Sequence, residues 1–171
     1  MIKEFAFSLS KRHYFQDANE MQNWMNIDSD TFMSLYDYPE YVKTFFAKKK
    51  SLSGYDGIMY MPDEFILDVD GSSIDKAYDK ACNLLGILED LMVPNLVYLS
   101  GTGFHIHIPK QSFRWKPSKD LHIKVKQVLT EFEIFKYADS AVTDKTRLIR
   151  VPNTRNSKSG LYKVALPKFP I

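Results

Sequence analysis

Two aspartates one residue apart, in the run Phe65-Ile-Leu-Asp-Val-Asp-Gly71, are the clearest chemical feature of the chain. Residues 65–70 form a short apolar run of β-type residues with a glycine stop, which reads as a buried strand. Side chains alternate along a strand, so Asp68 and Asp70 share one face and Val69 takes the other. Two carboxylates that close repel unless something neutralises them. A divalent cation does so, and Mg²⁺ is commonly held by one or two carboxylates together with substrate phosphates. The plain alternative is an Asp-Gly turn closing a hairpin.

A second group follows in Ser100-Gly-Thr-Gly-Phe-His-Ile-His-Ile-Pro109. Its glycines allow close backbone approach and present N–H groups suited to phosphate oxygens. His105 and His107 share a strand face, with Ile106 behind. A protonated imidazole can donate to a phosphate, and a neutral one can bind metal. Otherwise the segment is a glycine-rich hairpin with two polar histidines facing solvent.

The third group spans residues 139–166. It opens with Asp139-Ser-Ala-Val-Thr-Asp144 and continues through Arg147, Arg150, Arg155, Asn156 and Lys158 to Gly160. Arg147 and Arg150 are three apart, so an ideal strand puts them on opposite faces. The stretch Pro-Asn-Thr-Arg-Asn-Ser-Lys-Ser-Gly is a polar basic loop whose donors suit phosphates or a nucleic-acid backbone. A flexible surface hairpin is the simpler reading.

The elements that must position these groups are legible from residue 65 onward. Ser72 or Ser73 caps a helix with Asp75 in its first turn. Its apolar residues recur at Ile74, Ala77, Tyr78, Ala81, Leu84, Leu85, Leu88 and Leu91, and Pro94 follows its end. Residues 96–99 and 104–109 are two strands of a hairpin about the Ser100–Gly103 turn. Pro117-Ser118 opens a second helix through Leu121, Val125, Val128, Leu129 and Phe132, and residues 147–151 and 161–166 are further strands. The order is β-α-β-β-α-β, an α+β arrangement in which an antiparallel sheet carries two helices on one face and leaves the other free for a site. In the first 55 residues, 5–9 read as a strand, and 19–25 and 41–50 as helices. The expectation is one domain over 1–171, with an N-terminal α/β unit (1–55) and the β-α-β-β-α-β core (56–171), which the resemblance described below implies is catalytic.

Bulk properties narrow the partners. Residues 1–109 carry 9 Lys/Arg and 16 Asp/Glu, whereas residues 110–171 carry 14 and 5. That asymmetry suggests a polyanion for the C-terminal third, or two lobes that attract each other. No apolar run is long enough to span a bilayer and no signal-peptide order is present, so a cytoplasmic protein with no membrane partner is expected. The single cysteine, Cys82, excludes an internal disulfide, and no Cys/His cluster has zinc spacing.

Together the three groups resemble the archaeo-eukaryotic primase superfamily, the primase-polymerases of archaea, eukaryotes, plasmids and phages. Asp68 and Asp70 match its Asp-x-Asp motif. Ser100-Gly-Thr-Gly-Phe-His105 matches its Ser-Gly turn leading to a strand histidine. Asp139 looks like its further acidic residue, with Asp144 as the alternative. The run from Arg147 to Gly160 is similar to the phage and plasmid branch. The match covers roughly residues 55–166. It implies a core with a modified RNA-recognition-like sheet. Asp68, Asp70 and Asp139 would hold two Mg²⁺ or Mn²⁺ ions for nucleotidyl transfer on a single-stranded DNA template. Ser100 and His105 would contact the phosphates of a nucleoside triphosphate, with Arg150 and Lys158 as further phosphate contacts. Arg147, Arg155 and Asn156 would support the loop or touch template. The cysteines of the zinc element of cellular primases are missing, and a helicase or accessory priming domain would be a separate partner.

Two other readings start from the same residues. His105-Ile-His107 resembles the metal strand of HUH-type rolling-circle replication endonucleases. Those enzymes need a tyrosine followed by lysine three or four residues on, a pattern neither Tyr137 nor Tyr162 supplies. A non-catalytic single-stranded nucleic-acid-binding module would need aromatics exposed on the sheet to stack bases. Phe104 is available but alternates to the face opposite His105.

Overall fold

The computed structural model describes residues 1–8 and 10–169. It is an α+β fold of two four-stranded antiparallel sheets. The first sheet contains β1 (Ile2–Ala6), β2 (Tyr14–Asp17), β3 (Phe32–Ser34) and β7 (Leu148–Arg150), in the order β2-β1-β3-β7. The second contains β4 (Glu64–Val69), β5 (Leu96–Leu99), β6 (Phe104–Pro109) and β8 (Val164–Leu166), in the order β4-β6-β5-β8. Three α-helices complete it: α1 (Tyr41–Lys49), α2 (Ile74–Asp90) and α3 (Leu121–Glu131). Among the described residues no helix is long and apolar enough to cross a membrane.

The middle of the chain folds as its periodicity predicts. Ser73 caps α2, its hydroxyl oxygen accepting from the Lys76 N–H at 3.3 Å. The helix buries Ala77, Ala81, Leu84, Leu85 and Leu88, while Ile74 at its exposed start stays about half in solvent. In the second sheet Phe65, Leu67, Val69, Ile106 and Ile108 form an apolar face. Leu67 and Ile108 line an apolar cavity of about 360 Å³ with Leu88 of α2 and Leu129 of α3. Each such side chain removed from water contributes roughly 1.5–3 kcal/mol. Asp68, His105 and Tyr98 are in register on the opposite face, which His107 shares with the apolar Ile66 and Leu96.

The largest departure from expectation concerns the last strand of the core. The strand read at 147–151 does not close the sheet containing Asp68. β7 pairs with β3, Met33 facing Ile149, and completes the first sheet. The fourth strand of the second sheet is β8, added to β5 at the far edge. The order β-α-β-β-α-β is therefore correct along the chain, but its last strand crosses to the other sheet. Three residues of apolar pattern cannot specify which of two edges they join; the partner edge decides. Two further short strands, β2 and β3, were not expected. The helix expected over 19–25 is a 3-10 helix at Ala18–Asn23, and the strand expected over 5–9 ends at Ala6, with Leu9 outside the described residues.

The two sheets share one hydrophobic cluster. Its polar fastenings are tyrosine hydroxyls. The Tyr36 hydroxyl donates to the Val142 carbonyl at 3.5 Å and that of Tyr38 to the Lys145 carbonyl at 2.5 Å. The Lys145 ammonium returns a bond to the Tyr55 carbonyl at 3.0 Å. Burial pushes all three phenols up, Tyr55 to about 12. These bonds attach residues 140–147, the segment between Asp139 and β7, to the core of the first sheet.

Candidate active site

Asp68 ends the polar face of β4 and is buried. One of its oxygens, Oδ1, lies 3.4 Å from His105 Nε2, and Oδ2 accepts from Arg147 Nη2 at 2.9 Å. Burial works against its charge, but His105 and Arg147 more than offset that and hold the carboxyl below its usual range. Asp139 is fixed beside it, since its backbone N–H donates to the Asp68 carbonyl at 2.8 Å. Its Oδ1 caps the following 3-10 turn through the Ala141 N–H, and its Oδ2 accepts from the same Arg147 Nη2 at 3.0 Å. Asp70, just past the strand, has its carboxyl pushed up by desolvation and then by the negative charges of Asp68 and Asp139. The structure therefore sets Asp139 beside Asp68 and within electrostatic reach of Asp70, although it is not one of the residues lining the cleft; Asp144 is exposed, its backbone carbonyl accepting from the Arg147 N–H.

The Ser-Gly turn is set against these acids. A Cβ at Gly103 would lie 2.4 Å from the Val69 carbonyl oxygen and 2.8 Å from Asp70 Oδ1, so only glycine fits. Gly101, at φ +106°, faces the other way: a Cβ there would meet Asn156 Nδ2 at 2.7 Å and Ser159 Oγ at 2.8 Å. The turn is thus held between the carboxylates and the basic loop. Asn156 is buried and organises that loop. Its Oδ1 accepts from the Lys158 N–H at 2.9 Å, and its Nδ2 donates to the Ser100 carbonyl at 3.4 Å. The Arg155 Nε donates to the Gly160 carbonyl at 3.2 Å, so this arginine braces the loop from outside.

Asp68, Asp70, Ser100, His105, Arg150 and Lys158 all line one cleft of about 550 Å³, together with Arg147. Lys158 is exposed there. Arg150 is more tightly held. Its Nη1 donates to Asp30 Oδ1 and to the Arg155 carbonyl, and its guanidinium lies 4.7 Å from the centre of the Phe32 ring. Arg147 and Arg150 have different partners but line the same cleft, against the expectation of opposite faces, because β7 begins at Leu148 and strand alternation does not extend to Arg147.

Behind the cleft is a buried polar row. His107 Nδ1 lies 2.6 Å from Glu64 Oε2, and the His107 ring stacks on Tyr98 at 4.1 Å. Lys163 is fully buried, its ammonium 5.3 Å from the centre of the Tyr98 ring and 2.9 Å from the Arg150 carbonyl. Burial lowers Lys163 to about 7, and burial with the nearby Lys163 charge lowers His105 to about 4, so His105 is neutral at pH 7. Phe104 is buried on the opposite face against Tyr78 and Phe169, not available to stack a base.

Sequence reasoning missed two participants and gave a third another role. Asp30 comes from a segment without periodicity, and only the fold brings it to Arg150 and the Ser157 N–H. Lys163 lies on the same alternation as Ala165, which would have given its face but not its burial. Arg147 was expected to support the loop or touch template, and lies instead across two of the carboxylates.

The three carboxylates have the oxygen chemistry a hard divalent cation takes. Burial first, and then the charges of Asp68 and Asp139, push the Asp70 carboxyl up. In this conformation no three His, Cys, Asp or Glu side chains among the described residues are placed to hold an ion together. The positive group lying across Asp68 and Asp139 is the Arg147 guanidinium.

No protein-family model matches the chain. No curated protein matches it either. Among solved structures it is similar to the polymerase domain of Mycobacterium tuberculosis ligase D in complex with DNA. That likeness has a TM-score of 0.49 at 11% identity, over 96% of this chain and 72% of that one.

Proposed function

We propose that this chain catalyses metal-dependent, template-directed nucleotidyl transfer on single-stranded DNA, as a primase-polymerase. The observation that carries the reading is convergence. Acidic, Ser-Gly and basic segments lying about 30 to 90 residues apart line a single cleft, with the Ser-Gly turn between the other two.

Each group has a role in that reading. Asp68, Asp70 and Asp139 would hold Mg²⁺ or Mn²⁺. Two bound ions would activate the attacking 3′-hydroxyl and neutralise the leaving pyrophosphate. The Ser100 turn and His105 border the triphosphate; a neutral His105 donates one N–H and adds no charge. Lys158 supplies an exposed cation to the phosphates, while Arg150, held by Asp30 and Phe32, shapes the cleft wall and adds its charge at short range. The remaining parts of the reading follow the resemblance: a template strand along the basic face, and a helicase or accessory domain where priming needs one.

The test is primer extension and de novo priming on single-stranded DNA with rNTPs or dNTPs and Mg²⁺ or Mn²⁺. Incorporation that depends on metal and is lost in both Asp68→Ala and Asp70→Ala is the expected result. Incorporation retained in both variants would sink the reading.

A further inference from the structure

The Arg147 guanidinium is an unusually poor clamp for the position it occupies. Guanidinium–carboxylate pairs are strongest as forks, with two nitrogens meeting two oxygens of one carboxylate. Arg147 instead serves two different carboxylates through one nitrogen, Nη2. Its Nε is buried with no hydrogen-bond partner among the described residues, an arrangement that leaves a donor's desolvation uncompensated. The side chain is reachable, about a quarter of it facing the cleft. Its backbone, by contrast, is pinned: the Arg147 carbonyl accepts from the Leu35 N–H at 2.9 Å, and its own N–H donates to the Asp144 carbonyl at 3.1 Å. The side chain can therefore leave the carboxylates without moving the strand.

We propose that Arg147 is an exchangeable counter-cation: it neutralises Asp68 and Asp139 in the metal-free chain, and a divalent cation displaces it into the cleft. This rests on the metal-dependent reading above. Two positive groups cannot share the same oxygens at contact distance without repulsion, so arginine and metal compete for them. The exchange gives the cleft two states with the acids neutralised in each. In the metal-bound state it frees a five-donor planar cation beside the phosphate-binding turn.

The test compares Mn²⁺ affinity of the wild-type chain and of Arg147→Met, following free Mn²⁺ by electron paramagnetic resonance. Removing the competitor should tighten Mn²⁺ binding roughly tenfold, the scale of hydrogen bonds to charged groups. A second measurement needs no variant to fold. In ¹⁵N-arginine-labelled wild-type protein, titration with diamagnetic Mg²⁺ should shift the Arg147 side-chain resonances and speed their solvent exchange. Equal or weaker Mn²⁺ binding by Arg147→Met, or Arg147 resonances unmoved at saturating Mg²⁺, would overturn the exchange and leave the proposed function standing. Absence of saturable Mn²⁺ binding in both proteins would overturn the exchange and the metal-dependent reading together.

Discussion

Two arginine–carboxylate clusters in this chain use the same chemistry in opposite ways. In the first sheet, Glu4 is fully buried on β1. Arg12 meets it as a fork, Nε to Oε1 at 2.8 Å and Nη2 to Oε2 at 3.1 Å. The His13 N–H adds a third bond to the same carboxylate at 3.1 Å. One arginine meets one carboxylate, two nitrogens to two oxygens, and the result is a structural joint between β1 and the loop that follows it. At the cleft, Arg147 divides one nitrogen between two acids, while the Asp70 carboxyl next to them is pushed up by desolvation and then by their charges. In the first cluster one arginine serves one carboxylate; in the second a single nitrogen is divided between two, with a third carboxyl nearby. The two clusters differ in how many acids each arginine must serve.

The largest test of that contrast is to remove the carboxylates on each side. Asp68→Ala or Asp70→Ala should abolish metal-dependent nucleotide incorporation, a drop of at least about a hundredfold, with a native circular-dichroism spectrum. Glu4→Gln should do the reverse. Breaking a buried pair costs about 3–5 kcal/mol, so the urea midpoint should fall sharply, equally with and without Mn²⁺. A metal-dependent loss at Glu4 would erase the distinction between the two clusters.

A smaller effect comes from Lys163 beneath the cleft. Its folded pKa is about 7 against an ordinary 10.5. Between these values the unfolded chain binds more protons, so this lysine's contribution to stability is complete above pH 10.5 and is lost as pH falls through about 7. Wild-type stability should rise from pH 7 to pH 9.5 relative to Lys163→Met in parallel urea titrations. A flat difference would mean the ammonium is not desolvated as its burial implies. The smallest change is expected at the exposed Lys158. Charge reversal there should reduce incorporation modestly and make it less sensitive to salt, changing the log–log slope by about one. An unchanged salt profile would remove Lys158 from the phosphate-binding side.

How far the sequence carries depends on whether a feature is local. The hairpin 96–109, the capped helix α2 and the shared face of Asp68 and His105 follow from alternation, capping and 3.6-residue periodicity. The grouping of Asp68 and Asp70 with the Ser100 turn and Lys158 was legible because the motifs stand in order. What was not legible depends on contacts between distant segments. β7 carries three residues of pattern and two possible edges, and it joins the sheet that the β-α-β-β-α-β order did not suggest. Asp30 reaches Arg150 across 120 positions of sequence. Arg147 reads as one more basic residue of the loop, since nothing in its neighbours reveals two carboxylates within 3.0 Å.

The two glycines of the Ser100 turn have a consequence for engineering. Gly103 faces the acids and Gly101 faces the basic loop, so the turn acts as a shim whose thickness sets the width of the opening. Alanine at Gly103 would push toward Asp70, and alanine at Gly101 toward Asn156 and Ser159. Neither change alters a charge or a donor. Each would set a Cβ well inside contact distance, against the Val69 carbonyl at 2.4 Å or Asn156 Nδ2 at 2.7 Å, so the backbone of the turn itself would have to move and the width of the opening with it.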